Sequence, residues 1–456
     1  MAVGEHEDVV AARLRAATET LEAIGRDRTL LQELTVDERT RLLSAAGRVF
    51  DPDVVARRRA AKELRRRKKN AKLAEDEAVL RETGIRVLRS KPVFTTPNVY
   101  APGEVEQLER ETIEPQHCYV CKQLYSTLHP FYDQMCKSCG DFNYAKRTAT
   151  ADLEGRVALL TGGRVKIGYQ AGIKLLRAGA SLVVTTRFPN DAAKRYAGEA
   201  DYAEWGDRLQ IVGLDLRHTP SVEAFCHSLL DTRDRLDFII SNACQTVRRP
   251  REFYAHMLET EEEARASLPS GEIALREFFP EGRLDQDLQQ VDLREHNSWR
   301  LLLDEVPTIE LLETQLVNAV APFVLNARLK PLLLATPERD KHIVNVSAVE
   351  GQFYRRFKTT RHPHTNMAKA ALNMMTRTSA ADYANDGIHM NSVDTGWVTD
   401  EDPAHLAERK AEEHRFSPPL DIVDGAARIV DPIIVGHSTG DHPWGKFFKD
   451  YKPTDW

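Results

Sequence analysis

Twelve residues, Val157-Ala-Leu-Leu-Thr-Gly-Gly-Arg-Val-Lys-Ile-Gly168, leave this chain few folds to choose from. The apolar start reads as a buried strand, the glycines as a turn, and Tyr169-Gln-Ala-Gly-Ile-Lys-Leu-Leu-Arg177 as a helix. That order is the plan of a phosphate site. Glycines let the backbone approach a pyrophosphate, and a helix N-terminus supplies unbonded N–H groups and positive potential. From about 151 to 456, apolar strands alternate with helical stretches, the pattern of a doubly wound parallel sheet.

The preceding residues differ. Residues 1–90 are charged and nearly free of proline and glycine, with apolar residues at helical spacing in Val9, Leu14 and Leu21 and again in Leu30, Leu31 and Leu34. Arg57-Arg-Arg-Ala-Ala-Lys62 and Arg65-Arg-Arg-Lys-Lys69 form a basic stretch, answered by Glu75-Asp-Glu77. No aromatic residue interleaves with these cations, which argues for a solvated or partner-contacting helix and against nucleic acid. The net charge of −6 gives no global pull toward nucleic acid either.

Residues 91–150 hold Cys118-Tyr-Val-Cys121 and, fourteen residues later, Cys136-Lys-Ser-Cys139. Pro92, Pro97 and Pro102-Gly103 mark a linker before them. Two Cys-x-x-Cys knuckles offer four thiolates at tetrahedral positions, the ligand set of a structural Zn²⁺ with no open coordination position. Redox-active pairs or an iron–sulfur site are the alternatives. His117 and His129 are expected beside the metal and not on it, and Cys226 and Cys244 as buried cysteines. The segment resembles a zinc ribbon, a type of module that serves as an interaction platform or spacer.

The residues from 151 on resemble the short-chain dehydrogenase/reductase superfamily. Thr161, Gly162 and Gly168 match its Thr-Gly-x-x-x-Gly-x-Gly loop, with Gly163, Arg164 and Ile167 inside it and Lys166 replacing the middle glycine. The second strand, Ser181-Leu-Val-Val-Thr-Thr-Arg187, ends in Arg187 with no acidic residue for a ribose 2′-hydroxyl, which favours NADP(H) over NAD(H). Asp215-Leu216 resembles the adenine-contacting pair. Asn242 and Ala243, in Ser241-Asn-Ala-Cys244, resemble the Asn-Asn-Ala-Gly motif. Gly396 and Val398, in His389-Met-Asn-Ser-Val-Asp-Thr-Gly-Trp-Val398, match the turn that contacts nicotinamide. The implied fold is α/β, a Rossmann-type doubly wound sheet preceded by the zinc-ribbon-like module and the N-terminal helical region. The implied cofactors are NADP(H) and structural Zn²⁺.

The catalytic positions depart from the family. Lys369 matches the lysine of Tyr-x-x-x-Lys and so also the nicotinamide ribose, but Thr365 stands where the tyrosine belongs. Asn318 matches the asparagine that orders water in the proton relay. The catalytic serine aligns with Ala348, and Ser347 lies one place early, on the other face of a regular strand unless a bulge intervenes. A threonine hydroxyl is too weak an acid for the tyrosine's role. His364, adjacent to Thr365, and Tyr354 are candidate replacement donors.

Between Asn242 and Asn318 the chain is far longer than the family's, which marks an insertion at about 246–310. Loops at the carboxyl ends of the strands form the ligand crevice, so the insertion is expected to shape the substrate site. Arg248, Arg249 and Arg251 are candidates to bind an anionic substrate, and Glu259-Thr-Glu-Glu-Glu-Ala-Arg265 is expected as a solvated helix. The chain is therefore read as an NADP(H)-dependent oxidoreductase acting on a small carbonyl or alcohol with a rebuilt relay. The alternative is a nucleotide-binding sensor or scaffold whose protein partner is held by the zinc module or the N-terminal helices. Members of the family often form homo-oligomers. No apolar run approaches the ~20 residues of a membrane span, no apolar signal core opens the chain, and the expected location is the cytoplasm.

Overall fold

The computed structural model describes residues 2–50, 54–97, 110–249, 251–254, 257, 283–355, 358–399, 401–403, 405–406, 409–410 and 417–456. Two compact units divide between Glu75 and Asp76. The first is helical, with helices Ala2–Arg26 and Val36–Phe50 and the start of helix Val54–Arg81. None of its described residues is buried, so it forms no core of its own. The expected helix at 259–265 and the Pro102-Gly103 linker lie outside the described residues.

In the second unit, β1 (Glu111–His117) and β2 (Leu124–Thr127) form an antiparallel ribbon. Eight further strands build one sheet: β3 (Val157–Thr161), β4 (Ser181–Thr186), β5 (Leu209–Gly213), β6 (Phe238–Ser241), β7 (Lys341–Ser347), β8 (Ile388–Asp394), β9 (Phe447–Lys449) and β10 (Lys452–Thr454). Their order is β10-β9-β8-β7-β6-β3-β4-β5. Strands β3 to β9 run parallel, and β10 folds back antiparallel on β9. The chain leaves β3 toward β5, returns to β6 on the other side of β3 and proceeds outward. The reversal puts the ligand crevice between the carboxyl ends of β3 and β6.

Alternation along each strand builds two cores. Ala158 and Leu160 face one layer, with Ile173 and Leu176 of helix Lys166–Arg177 and Ile429 and Ile433 of helix Ile422–Thr439. Leu159 faces the other, with Val222 and Phe225 of helix Thr219–Thr232, Leu325 of helix Ala321–Arg328 and Ala380 of helix Pro363–Asn385. Both faces are covered, so strands such as Val157-Ala-Leu-Leu160 are apolar throughout.

The four-cysteine segment packs against the α/β part, and one expectation, on apolar runs, needs correction. Cys118, Tyr132 and Met135 share a buried cluster with Val398, Leu420 and Ile422 of the α/β part. The run Thr308–Arg328 spans 21 residues and meets the length and hydropathy of a membrane-crossing helix. Glu310, Glu313 and Asn318 interrupt its apolar residues. All three are buried, as are Ala321 and Leu325.

Candidate active site and metal-binding segment

The turn after β3 is shaped by contacts that admit only glycine at two positions. Gly162 has a left-handed backbone (φ +70°), and a Cβ there would meet the Ala243 Cα at 2.8 Å. A Cβ on Gly168 would collide with the Asn242 Nδ2 and the Gly162 carbonyl. Thr161 Oγ1 accepts the N–H groups of Asn242 (3.1 Å) and Ala243 (3.0 Å), and Asn242 Nδ2 donates to the Thr161 and Gly162 carbonyls at 3.1 Å each. The ends of β3 and β6 are thereby tied at the crevice. No side chain caps the helix that begins at Lys166, the arrangement in which a helix N-terminus can take an anion.

Lys166 itself is left-handed (φ 55°), the backbone reason for a glycine at this place in the family. Its ammonium lies 3.8 Å from Glu401. The Glu401 carboxylate holds the lysine above its ordinary pKa against the opposing effect of burial, and Asp287 and Asp285 add to the same effect. Gly163 and Arg164, expected at the cofactor, are both closely packed within the protein. A Cβ on Gly163 would press on Val184. Arg164 is buried and donates to Asp191 at 2.6 Å and to Gln289 at 2.7 Å. At the end of β4, Arg187 donates to the Tyr254 hydroxyl at 2.7 Å and lies over its ring. Asp215 is paired with Arg217 at 2.5 Å, which lowers its pKa although burial would raise it. Leu216 beside it is buried.

At the catalytic positions, Lys369 is buried and its Nζ donates to the Val346 carbonyl at 2.8 Å. Thr365, one turn earlier on the same helix face, is 5% exposed, and its hydroxyl has no hydrogen-bond partner among the described residues. Asn318 lies in a π-helical turn, Leu316–Val320, where the Ala321 N–H reaches back to the Leu316 carbonyl. Such π turns open a helix locally and gather at functional sites. The Asn318 Oδ1 accepts the Gln245 N–H at 2.7 Å, and its Nδ2 donates to the Gln245 carbonyl at 3.3 Å, which joins this helix to the segment after β6.

The other candidates do not converge on Thr365. β7 runs in register to Ser347 with no bulge, and the Ser347 hydroxyl donates to the Lys369 carbonyl at 3.3 Å. Ala348, half-buried, therefore keeps the aligned serine's place. His364 turns its Nε2 toward Glu310, 3.6 Å away. Tyr354 is 53% exposed, with its hydroxyl 3.1 Å from that of Thr454 on the edge strand β10.

The described residues of the inserted segment include several packed beside the crevice. Phe253, Tyr254 and Met257 are buried, and Tyr254 and Met257 touch Arg187 and Arg164. Trp299 stacks on His362, with ring centres 3.9 Å apart, just before the Thr365 helix. The arginines proposed for an anionic substrate are engaged. Arg248 donates to Glu313 at 3.1 Å and Arg249 pairs with Asp292. The Arg251 side chain lies outside the described residues. Cys244 is exposed, against expectation, while Cys226 is buried.

Cys118, Cys121, Cys136 and Cys139 bring their sulfurs within 4.8 Å of one another, and none is in a disulfide. The Cys121–Cys136 separation is 3.7 Å. A tetrahedron with Zn–S near 2.3 Å has an edge of about 3.8 Å, so the Cys121–Cys136 separation matches one edge of such a cage. His129 stands beside it. Its Nδ1 accepts the Phe131 and Tyr132 N–H groups, and its Nε2 faces Asp141. The His117 ring meets the Lys122 carbonyl at 3.2 Å.

Sequence reading missed Tyr119, Asp394 and Glu401. Asp394, pushed up to about 6 by burial, accepts the Val349 N–H at 3.1 Å and the Gly396 N–H at 3.2 Å, bracing the turns after β7 and β8. The Asp-Thr-Gly run carried a turn signal for it. Tyr119 and Glu401 act across distant parts of the chain and had none.

The profile described as "short chain dehydrogenase" matches residues 156–265, and the one described as "Enoyl-(Acyl carrier protein) reductase" matches residues 302–418. The chain belongs to the short-chain dehydrogenase/reductase superfamily. Among relatives, the uncharacterized protein R665 of Acanthamoeba polyphaga mimivirus is 31% identical over 350 residues, covering 72% of each chain. Dehydrogenase/reductase SDR family member 13 of Bos taurus is 32% identical over 104 residues, 22% of this chain and 27% of that protein. The solved Pseudomonas aeruginosa RhlG/NADP active-site complex shares 19% identity at a TM-score of 0.45, covering 65% of this chain and 95% of that one. Within this superfamily, the positions expected to hold the loop glycines, the lysine, the tyrosine and the serine are occupied here by Gly162, Lys166 and Gly168, by Lys369, by Thr365 and by Ala348.

Proposed function

We propose that this protein is an NADP(H)-dependent oxidoreductase acting on a small carbonyl or alcohol substrate, with a proton relay that does without the family's tyrosine. The observation that carries the reading is the uncapped helix N-terminus at Lys166 behind the Gly162 turn, tied by Asn242 to the β6 end. The cradle fits a dinucleotide: a Cβ at Gly162 or Gly168 would crowd it, and no side chain caps the helix that begins at Lys166. The first amides of that helix and the Lys166 ammonium would hold the pyrophosphate, Arg187 a 2′-phosphate, Asp215 and Leu216 the adenine, and Val398 the carboxamide. Lys369 would hold the nicotinamide ribose. When bound, the nicotinamide supplies or accepts the hydride.

The buried Thr365 hydroxyl has no partner among the described residues and would hydrogen-bond a substrate oxygen; the ring nitrogens of His364 beside it have no hydrogen-bond partner either. The threonine does not ionise in the working range, so the proton travels through the lysine and water ordered at the Asn318 turn. Loss of a positioned general acid costs about 10²- to 10⁴-fold in rate, which predicts slow turnover. The four cysteines would hold a structural Zn²⁺, and six free cysteines suit the reducing cytoplasm. Exposed Ile309, Leu312, Phe323, Met367 and Met374 on neighbouring helices suit a homo-oligomer contact.

A second reading, a nucleotide-binding sensor or scaffold with a protein partner at the zinc segment or the N-terminal helices, is favoured by Ala348 and by the Ser347 hydroxyl, which is spent on the Lys369 carbonyl. Titration with NADPH, followed by a carbonyl panel monitored for NADPH oxidation, separates the two. Oxidation supports the enzyme, binding without turnover supports the sensor, and absence of binding overturns both.

A further inference from the structure

We infer that metal in the four-cysteine site positions the Gly396–Trp397–Val398 turn through Tyr119, and so sets the affinity of the nucleotide site; this rests on the zinc and NADP(H) readings above.

Tyr119 is the residue after the first cysteine. Its backbone is held inside the knuckle: the Cys118 N–H donates to the Gln123 carbonyl at 2.9 Å, the Lys122 N–H to the Cys118 carbonyl at 3.0 Å, and the Tyr119 N–H to the Gln134 carbonyl at 2.8 Å. Lys122 closes the loop with a left-handed backbone (φ 63°). The direction of the Tyr119 ring therefore follows from where Cys118 and Cys121 are held.

The ring leads to the cofactor turn. The Trp397 N–H donates to the Tyr119 hydroxyl at 3.1 Å. Gly396 is left-handed (φ +75°), and a Cβ there would meet the tyrosine hydroxyl at 3.2 Å and press on Leu420. The turn is thus seated between the tyrosine and Leu420, with Asp394 beneath its first N–H. Val398, which follows, is buried in the same cluster as Cys118, Tyr132 and Met135, and Ile167 of the phosphate loop packs on that cluster. One apolar unit thereby joins the sulfur cage to both sides of the nucleotide crevice.

The segment has a second attachment that needs no metal. Tyr132 donates to Asp424 at 2.5 Å, and Arg147 pairs with Asp421 at 2.6 Å and Asp424 at 2.9 Å. Loss of metal would loosen the knuckle that carries Tyr119 while these contacts keep the segment docked. A loop closed by four thiolates gains order from its metal, because binding free energy adds to folding free energy.

The test uses the full chain as zinc-loaded wild type, chelator-treated wild type and Tyr119→Phe, which keeps the ring and removes the acceptor. The readouts are zinc content, melting temperature, NADPH affinity and hydrogen exchange of the Trp397 amide. We expect Tyr119→Phe to keep its zinc and melting temperature, to weaken NADPH about 3- to 10-fold, and to speed Trp397 exchange by a similar factor. Chelation should reproduce both effects, and added zinc should reverse them in wild type alone. Unchanged affinity and exchange in Tyr119→Phe and in chelated protein overturn the proposal. Wild type without metal overturns the metal half of it, and the Tyr119→Phe arm still decides the tyrosine. Wild type that binds no NADPH overturns the nucleotide reading, and Trp397 exchange then decides the positioning.

Discussion

The Lys166 ammonium stands 3.8 Å from the Glu401 carboxylate, joining the phosphate loop to the segment that follows the Gly396 turn. A bound pyrophosphate would have to share this ammonium with a carboxylate that is itself held below its usual pKa, mainly by Lys166. Glu401→Gln removes the competitor, and we expect it to tighten NADPH binding by about 10-fold at low salt. Lys166→Met should weaken binding. Calorimetric titration of both variants decides, and equal or weaker affinity in Glu401→Gln speaks against the cradle as described.

Thr365 offers two independent readouts. Its buried hydroxyl lacks a partner, so Thr365→Val should leave stability unchanged or raise it by up to about 1 kcal/mol. If the hydroxyl meets the substrate oxygen, turnover should fall at least about 10-fold while NADPH affinity holds. A variant that is clearly less stable would show that the hydroxyl already has a partner in the protein.

Acid should destabilise the protein through a histidine cluster. His342 Nε2 lies 2.9 Å from His442 Nδ1, and the His389 and His437 rings stand 5.3 and 6.0 Å from the His342 ring. Burial first, then the neighbouring histidines, holds His342 and His442 below the ordinary value. Burial also lowers His437, with Arg156 acting in the same direction and Asp340 against it. A histidine with a depressed folded-state pKa binds protons more readily when unfolded. Stability is therefore full above about pH 6.5 and falls as pH drops below it. The melting temperature should be lower at pH 5 than at pH 7.5, and His342→Gln should narrow that gap. An equal gap in the variant would assign the acid effect to other groups.

Arg147 is buried between Asp421 and Asp424. Arg147→Met leaves both carboxylates without their cation and should cost about 3–5 kcal/mol. Adding Asp421→Asn should recover part of the loss, because the two substitutions act on one pair. A cost below about 1 kcal/mol in denaturant titration would mean that water reaches these groups.

Much of the site was legible because its signals are local. The loop glycines, Asn318 and Lys369 each occupy a fixed place in a short run, and Thr365 stands out by its offset from Lys369 alone. The one-residue offset of Ser347 was legible too, since strand alternation assigns its face once no bulge is present. The engagement of Arg164, Arg248 and Arg249 was not, because their partners Asp191, Gln289, Glu313 and Asp292 lie elsewhere in the chain.

Periodicity, turn chemistry and motif spacing by themselves pointed to the doubly wound sheet, the crevice and the four-cysteine cluster, since each is assembled from short runs whose own residues carry the signal. The tertiary structure decided what those parts do together. Only the fold brings Tyr119 onto Trp397 across 278 positions and Lys166 to Glu401, and it merges the cysteine segment with the cofactor turn in one apolar cluster. The physical reason is that burial and pairing depend on which surfaces meet, a property of the packed chain that no local run of residues encodes.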